Sequence, residues 1–415
     1  MDTTLPLDIL LLILSKLNYR DAKQYSIICQ KVYGESFTIC RSIVEKQSGM
    51  KLHTFNEAEI NRVFLATQPK NIYACKESTV IIDKVGNFLT NDINGKLICN
   101  PNLKNIVQVC NSIALDKDGI VYTLGVTTSK FNNLPKIKFI TESQDDIIMI
   151  DIEGNVYAYG ENIFGELGGD DKISIPTKIS GLQNIISATI GVTHTLFLDN
   201  DGNIFVLGDN QYHPLINNDS KERWESLKIT DCAITMNQTY TTKNITPIIQ
   251  ISSGHGYYLL LDKYGDVFIF GRGHRLGFIM LAKTSDIEYI SLAGYVVATH
   301  KNNTIEKIPT KIPNLQNIIS ISTNNCNSLV LDFNGNIYAF GANNKYFFKL
   351  NDTRLPVQIP KFLNVTQISC GFDHYLFVNK NQVYVLGNNN NKKLCVGNDK
   401  KYVQAPRKIF SFDTL

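Results

Sequence analysis

The stretch Leu196–Gly208, LFLDNDGNIFVLG, decides the fold of this chain. An apolar run leads into Asp201 and Gly202, and apolar residues alternate after them up to the final glycine. Asp and Gly tolerate the positive φ of a tight hairpin turn, and alternation is typical of a half-buried strand. The stretch therefore predicts a β-hairpin.

The same hairpin pattern recurs along the chain. Clear copies are LDKDGIVYTLG (Leu115–Gly125), IDIEGNVYAYG (Ile150–Gly160), LDKYGDVFIFG (Leu261–Gly271) and LDFNGNIYAFG (Leu331–Gly341). A shortened copy is VNKNQVYVLG (Val378–Gly387), and weaker copies are IIDKVGNFLT (Ile81–Thr90) and THKNNTIEKI (Thr299–Ile308). About eight candidate hairpins at intervals of roughly 35 to 60 residues fall in the range that indicates a propeller or a solenoid.

Three short phrases accompany the hairpin in a fixed order. An L-x-N-I-I phrase precedes it, as in Leu103–Val107, Leu182–Ile186 and Leu315–Ile319. Between that phrase and the hairpin lies an S-x-G-x-x-H phrase or a remnant of it, as in Gly191–His194 and Gly371–His374. After the hairpin come a proline and a short strand, in Pro176–Ile179, Pro309–Ile312, Pro356–Ile359 and Pro406–Ile409. Each unit offers up to four short strands, which is one propeller blade.

These units resemble the repeat of the regulator of chromosome condensation family over roughly residues 70–410. The segment GENIFGELGGD (Gly160–Asp170) is similar to the family's G-x-N-x-x-G-Q-L-G. The resemblance implies a mainly all-β chain, a β-propeller of four-stranded blades. The family's seven blades conflict with eight candidate hairpins, and we expect seven, with the apolar runs before each turn lining the axis.

The first 50 residues do not share the repeat. An apolar stripe with i, i+3, i+4 spacing predicts a helix, through Leu7, Leu10, Leu11, Leu14 and Leu17. Further helices are predicted at Arg20–Cys29 and Phe37–Val44.

LPLDILLLILSKLNYRDAKQYSIICQKVYGESF (Leu5–Phe37) resembles an F-box, with Tyr33 where the family often has Trp. The resemblance implies docking on a Skp-type adaptor of cullin ubiquitin ligases. The adaptor contact is predicted for Leu5, Pro6, Ile9, Leu10, Ile13, Leu14 and Leu17. The alternative is a helical cap on the propeller.

The chain divides by pattern into an F-box-like helical segment (1–50), a linker with room for a strand or short helix (51–70) and the propeller (71–415). PRKIFSF (Pro406–Phe412) is a predicted closing strand. The largest insertion, between Gly208 and Pro247, holds the chain's single tryptophan. Arg223 and Trp224 are candidate partner contacts there, since long loops on rigid scaffolds often bind partners, although Trp224 could also pack on its own blade.

Composition argues against several classes of protein. A net charge of +3 makes nucleic acid an unlikely partner. Nine cysteines without a C-x-x-C pair favour a reducing compartment over a zinc site or disulfides. The N-terminus lacks a signal peptide pattern and a membrane span, so we expect an intracellular protein, cytoplasmic or nuclear, that is not secreted and does not bind membranes. Abundant Asn, Ile and Lys suggest an AT-rich genome, such as that of a large DNA virus or a protist.

No catalytic motif stands out. The sequence has no G-x-S-x-G, H-E-x-x-H or Walker loop. His194 and His374 occupy the same place in their units, which favours a structural role. The repeated aspartates are expected to stabilise turns rather than bind a metal, at Asp116, Asp151, Asp199, Asp262 and Asp332. We therefore expect no enzyme, no cofactor and no metal.

The sequence thus favours a protein–protein interaction adaptor: F-box-like helices bind a Skp-type adaptor, and the propeller recruits a substrate protein. Two alternatives stay open. One is a guanine nucleotide exchange factor or chromatin-binding propeller for a Ran-like GTPase, as the name-giving family member implies. The other is a structural propeller with a helical cap. Because many activities share this fold, we expect no exchange activity from the fold alone.

Overall fold

The structure, a computed structural model, describes residues 36–67, 70–125, 128–168, 172–191, 194–208, 227–228, 247–254, 257–271, 287–292, 295–300, 305–306, 310–324, 327–341, 356–359, 364–396 and 401–413. The chain forms two compact units, residues 1–68 and 69–415. The predicted adaptor contacts between Leu5 and Leu17, and Arg223 and Trp224, lie outside the described residues.

The described part of the first unit contains two helices, α1 (Ser36–Ser48) and α2 (Glu57–Ala66). The helix predicted at Phe37–Val44 lies within α1, and α2 lies in the predicted linker. A capping box begins α2: Glu59 N donates to Asn56 Oδ1 at 3.0 Å, and Asn56 N donates to Glu59 Oε2 at 2.9 Å. Such reciprocal bonds satisfy two backbone donors at the helix start. Neither helix is long and apolar enough to cross a membrane.

The second unit contains, in its described residues, seven four-stranded antiparallel sheets, numbered here as blades 1 to 7. Blade 1 has β1 (Ile72–Ala74), β2 (Thr79–Ile82), β3 (Phe88–Asn91) and β4 (Leu97–Cys99). Blade 2 has β5 (Ile106–Val109), β6 (Ile113–Asp116), β7 (Val121–Thr123) and β8 (Ser129–Lys130). Blade 3 has β9 (Ile137–Ser143), β10 (Asp146–Asp151), β11 (Val156–Gly160) and β12 (Ile173–Lys178). Blade 4 has β13 (Ile185–Ile190), β14 (His194–Asp199), β15 (Ile204–Gly208) and β16 (Leu227–Lys228).

The remaining blades follow the same order, with one interruption. Blade 5 has β17 (Ile248–Ser253), β18 (Tyr257–Asp262), β19 (Val267–Gly271) and β23 (Thr310–Lys311). Between its third and fourth strands lie β20 (Ile287–Leu292), β21 (Tyr295–His300) and β22 (Ile305–Glu306), which form a separate three-stranded sheet. Blade 6 has β24 (Ile318–Asn324), β25 (Asn327–Asp332), β26 (Ile337–Gly341) and β27 (Val357–Gln358). Blade 7 has β28 (Val365–Cys370), β29 (His374–Asn379), β30 (Gln382–Asn388) and β31 (Tyr402–Ser411).

The blades form a closed ring, so the predicted seven-bladed propeller is confirmed. From blade 2 to blade 7 the first strands of successive blades contact one another, β5 contacts β2 of blade 1, and β1 contacts β28 and β29 of blade 7. The predicted closing strand lies in β31, which pairs with β30. The eighth candidate hairpin, at Thr299–Ile308, does form as β21–β22, but it belongs to the sheet inserted in blade 5.

The prediction that the apolar runs before each turn line the axis is wrong. Those runs are the second strands, and the first strand is the inner edge strand of each blade. Second strands are covered on both faces by neighbouring blades, and all six residues are buried in β10, β14, β18 and β25. A continuous apolar run is the pattern of a strand buried on both faces. The core therefore lies between blades.

The aspartate of each hairpin turn organises that turn. In blade 4, Asp199 Oδ1 accepts hydrogen bonds from Asp201 N at 2.9 Å and Asn203 N at 2.8 Å. Its Oδ2 accepts from Asn203 Nδ2 at 2.8 Å. The same two backbone bonds, from residues two and four positions on, are made to Asp83, Asp116, Asp151, Asp262 and Asp332. The turn-stabilising role predicted for the other five aspartates is confirmed, and Asp83 plays the same role.

A second repeated bond joins each blade to the next. The backbone N–H at or near the start of a first strand donates to the carbonyl of the turn glycine in the preceding blade, as Ile185 N does to Gly154 O at 3.1 Å. Six such bonds join consecutive blades, from Ile106, Ile137, Ile185, Ile248, Ile318 and Val365. The last residues of the L-x-N-I-I phrase begin the first strand of each blade. The phrase therefore recurs before each hairpin, which starts with the second strand.

Candidate interaction face

One face of the ring carries all the long connections within blades. Neighbouring strands are antiparallel, so the connections between first and second strands and between third and fourth strands leave from the same end of a blade. We call this end of all seven blades the loop face. The opposite face carries the turns between second and third strands, which contain the aspartate in blades 1 to 6.

The connections between third and fourth strands are unequal in length. Blades 1 and 2 have short ones, residues 92–96 and 124–128. Blades 3 to 7 have longer ones, residues 161–172, 209–226, 272–309, 342–356 and 389–401. Loops on a rigid scaffold are where binding residues concentrate, so the loop face is the candidate site. The predicted insertion at 209–246 is interrupted by β16.

Blade 3 shows how one of these connections is built, in the segment Gly160–Gly168, which we call the blade-3 loop. Asn162 holds it closed: its Oδ1 accepts from Leu167 N at 2.8 Å, and its Nδ2 donates to Gly168 O at 3.2 Å. Leu167 is buried with apolar residues of blades 3 and 4. The loop is therefore fixed at its base by both polar and apolar contacts.

The tip of the blade-3 loop exposes two large apolar side chains. Ile163 is 73% exposed and Phe164 is 36% exposed. An exposed apolar pair on an ordered loop has no role in the core and fits a contact with another protein. Sequence reasoning missed this pair because the alternating strand pattern stops at Gly160.

The base of the same loop contains two buried carboxyl groups, Asp146 at the start of β10 and Glu166 in the loop. Asp146 Oδ1 accepts from Asn162 N at 3.0 Å, and Glu166 Oε2 accepts from Phe164 N at 2.7 Å. Burial first, and then the hydrogen bond with Asp146, raises the pKa of Glu166 to about 7. Sequence reasoning missed this pair because the two residues are 20 positions apart.

His194 and His374 begin the second strands of blades 4 and 7, the same place in each unit, and pair with Gly208 and Gly387 of the third strands. The carbonyl of His194 accepts from Tyr258 Oη of blade 5 at 3.0 Å. His374 is fully buried, and burial is the main cause that lowers its pKa. Both histidines therefore lie within the packing of the blades, where a substrate would not reach them.

Beside His374 lies an ion pair whose lysine is buried. Lys393 Nζ is 2.6 Å from Asp373 Oδ1, and Asn388 Nδ2 donates to Asp373 Oδ2 at 2.8 Å. Burial alone would raise the pKa of Asp373, but His374 and Lys393 outweigh burial and leave that pKa below its ordinary value. The network joins the loop before β29 to the connection after β30. Within the described residues, no group of three or more metal-ligating side chains comes together.

Comparison with known proteins agrees with the repeat. A model of the Regulator of chromosome condensation (RCC1) repeat matches residues 153–198, which run from the hairpin turn of blade 3 into β14 of blade 4. The human Protein RCC2 is 28% identical over 206 residues, which are 47% of this chain and 37% of that protein. Protein pim1 of Schizosaccharomyces pombe is 26% identical over 237 residues, 55% of this chain and 41% of that protein. The matches thus span about two fifths of these curated relatives.

Solved structures show the same fold over most of the chain. Prp20p of Saccharomyces cerevisiae, described with its binding properties to Gsp1p and histones, superposes with a TM-score of 0.59 at 18% identity, covering 87% of this chain and 90% of that one. Yeast RCC1 (Prp20) bound to Kap60 gives a TM-score of 0.61 at 17% identity, covering 86% and 88%. The chain therefore carries RCC1-like repeats in a propeller of the same architecture.

Proposed function

We propose that this protein is an interaction adaptor: its N-terminal F-box-like segment binds a Skp-type adaptor, and its propeller binds a substrate protein through the loop face. The observation that carries the propeller half is the exposed pair Ile163 and Phe164 on the blade-3 loop, whose base is held by Asn162 and buried Leu167. Rigid presentation of an apolar anchor reduces the entropy lost on binding.

The support for the N-terminal half is the sequence pattern between Leu5 and Leu17. A helical segment of this length buries too little apolar surface to be stable alone, which favours a partner for its leucine stripe. Each leucine removed from water contributes roughly 1.5–3 kcal/mol when fully buried. The adaptor proposal includes an intracellular location, where such ligases act.

A pull-down with matched baits tests the proposal. The full chain, the chain without residues 1–50 and the deleted chain with that segment restored are each offered a purified Skp-type adaptor. Capture by the first and third baits alone supports the proposal. Capture by none of them, with melting curves that show a folded propeller in all three, would refute the adaptor half.

The propeller half is tested separately by replacing both Ile163 and Phe164 with Ser. The replacement should abolish capture of the substrate protein recovered with the wild-type chain and leave adaptor capture unchanged. The control is Ile93→Ser, because Ile93 is 89% exposed in the short blade-1 turn of the same face. Equal loss in the control and the loop variant would show that the blade-3 loop is not the contact.

A second candidate is nucleotide exchange on a Ran-like GTPase. It is favoured by the likeness to Prp20p, which is described with its binding properties to Gsp1p, although 18% identity supports the fold alone. We expect no such activity, because the sequence carries no recognisable match to exchange machinery beyond the repeat itself. Accelerated release of labelled guanine nucleotide from Ran by micromolar protein would favour this second candidate instead.

A further inference from the structure

The outer strand of blade 7 is the longest edge strand in the described residues. β31 has ten residues, whereas the outer strands of the other six blades, β4, β8, β12, β16, β23 and β27, have two to six. β31 lies at the edge of its sheet, and in the part of the chain that the structure describes only β30 pairs with it. Folded proteins usually keep such edges short, because an open edge can pair with another chain.

We propose that β31 is a docking edge for an acidic, extended segment of a partner protein. The segment adds to blade 7 as a fifth strand, and the basic side chains of β31 favour it over other segments by charge.

The backbone of β31 directs hydrogen-bonding groups toward its open side. Asn389 N donates to Lys401 O at 2.7 Å, so in the alternation of an antiparallel pair the amide of the next residue, Tyr402, is directed away from β30. The alternation continues along β30 to the partner of Arg407, and the amide of Lys408 is therefore also directed outward. An added strand can bond to these groups, which is the basis of recognition by strand addition.

The open edge is held in position from inside the propeller. Val403 and Phe412 of the C-terminal segment are buried in an apolar cluster formed by blades 7 and 1. The rings of Phe410 and Phe412 contact edge to face with their centroids 5.2 Å apart. A strand that is already ordered loses little entropy when a second strand binds to it.

Positive charge is concentrated on and around this strand. Residues 380–413 contain seven basic and two acidic residues, which are Lys380, Lys392, Lys393, Lys400, Lys401, Arg407, Lys408, Asp399 and Asp413. The whole chain carries only +3, so this segment is far more basic than the rest. Lys401, Arg407 and Lys408 are exposed, and none of the three forms an ion pair within the described residues.

The positions of these cations favour an acidic strand. Arg407 and Lys408 are consecutive, so their side chains point to opposite faces of the sheet and flank the open edge on both. Opposite charges on neighbouring strands stabilise the pair, and like charges destabilise it. A second copy of β31 is therefore disfavoured at this edge. Nucleic acid would use the cations but not the backbone amides, so an acidic peptide fits both observations.

Peptides of ten residues, the length of β31, test the proposal on the full chain. The first alternates Glu with Thr. The second has Pro in place of two central Thr, which keeps the charge and prevents strand formation, and the third has Lys in place of Glu. Fluorescence anisotropy should show about tenfold tighter binding of the first peptide than of the other two. Hydrogen exchange should slow at the amides of Tyr402 and Lys408 when the first peptide is bound.

Charge reversal of the protein supplies the matched variants. Arg407→Glu with Lys408→Glu should reverse the preference, so that the Lys peptide binds more tightly than the Glu peptide, an outcome that unfolding cannot produce. The control is Lys130→Glu with Lys178→Glu, which reverses two exposed charges on the outer strands β8 and β12. The control changes the net charge equally and should bind the Glu peptide as wild type does.

Equal binding of the Glu peptide and its proline counterpart would overturn the proposal, because charge alone would then explain the binding. Equal loss of binding in both charge variants, or tighter binding of a single-stranded oligonucleotide than of the Glu peptide, would overturn it too. Replacing Ile163 and Phe164 with Ser should leave peptide binding unchanged. The peptide assay involves neither the Skp-type adaptor nor the blade-3 loop, so failure of this proposal and failure of the proposed function are distinguishable.

Discussion

At the scale of single residues, Gly202 shows why the repeated hairpin needs its glycine. Its φ is 84°, a conformation that L side chains rarely adopt, and an added Cβ would lie 2.2 Å from Pro247 Cβ of blade 5. The same glycine carbonyl accepts the bond from Ile248 N. The turn therefore approaches the next blade as closely as a backbone without a side chain allows.

We expect Gly202→Val to destabilise the propeller by at least roughly 1–3 kcal/mol, from backbone strain plus the collision with Pro247. Gly202→Ala and Gly168→Ala form a matched pair. Gly168 also has positive φ, at 88°, but an added Cβ meets only Leu207 Cδ1 at 3.7 Å. Urea unfolding should show the larger loss for Gly202→Ala, and equal losses would mean that the contact with blade 5 is not tight.

The blade-5 turn differs at one residue from the turns of blades 1, 3, 4 and 6. Four turn aspartates receive a bond from an asparagine four positions on, whereas Asp262 has Asp266 there. Asp262 is 1% exposed, and its Oδ2 has no hydrogen-bond partner among the described residues. Burial first, with the charge of Asp266 adding to it, raises the pKa of Asp262 to about 6.

Asp266→Asn should therefore stabilise the protein at pH 7. The new bond to a charged acceptor contributes roughly 1.5–3 kcal/mol, and the exposed pair with Lys311 that is lost contributed about 0–1 kcal/mol.

Because the folded pKa of Asp262 lies above its ordinary value of 3.8, wild-type stability falls as pH rises from about 4 to about 6. The loss of stability over this pH range should be smaller in Asp266→Asn than in wild type. Asn203→Asp, the reverse change in blade 4, should destabilise; melting curves in which both variants shift the same way would contradict the account.

At the scale of elements, the contacts between blades 7 and 1 differ from the other six. The six consecutive interfaces have the bond to the turn glycine, whereas no chain segment runs from blade 7 to blade 1. Side chains of β28 supply the bonds instead: Asn71 N donates to Gln367 Oε1 at 2.9 Å, and Ala74 N donates to Ser369 Oγ at 2.9 Å. Ring closure thus depends on side chains.

Gln367→Ala should loosen the ring where it closes. Gln250→Ala is the matched control, since Ile321 N donates to Gln250 Oε1 at the same 2.9 Å between blades 5 and 6. Each change should cost about 0.5–1.5 kcal/mol. Only Gln367→Ala should speed hydrogen exchange in both β1 and β28, because its two blades lack the glycine bond. Similar protection of β1 and β28 in both variants would show that closure does not depend on this side chain.

At the scale of the whole molecule, the sequence predicted what its repeat encodes. Alternation, the Asp-Gly turns and the phrase before each hairpin predicted strands and blade order, and the resemblance to the repeat family predicted seven blades. The periodic pattern did not show which strand is innermost, because an apolar run marks burial and not position in a sheet. It also did not show that the eighth hairpin, at Thr299–Ile308, belongs to an inserted sheet and not to a blade of its own. The exposed Ile163 and Phe164 and the pair Asp146 and Glu166 depend on how a loop packs, which periodicity does not report.

The central claim, that the chain bridges a Skp-type adaptor and a propeller partner, is tested most directly on one double variant, Leu10→Asp with Leu14→Asp. Adaptor affinity and the melting temperature are measured on the same preparation of the full chain. If the leucine stripe contacts the adaptor, the double variant should lose adaptor binding, because burying two charges in an apolar contact is too costly. The propeller should still melt as in wild type. A lower melting temperature in a chain whose wild type binds no adaptor would contradict the claim and indicate a helical cap.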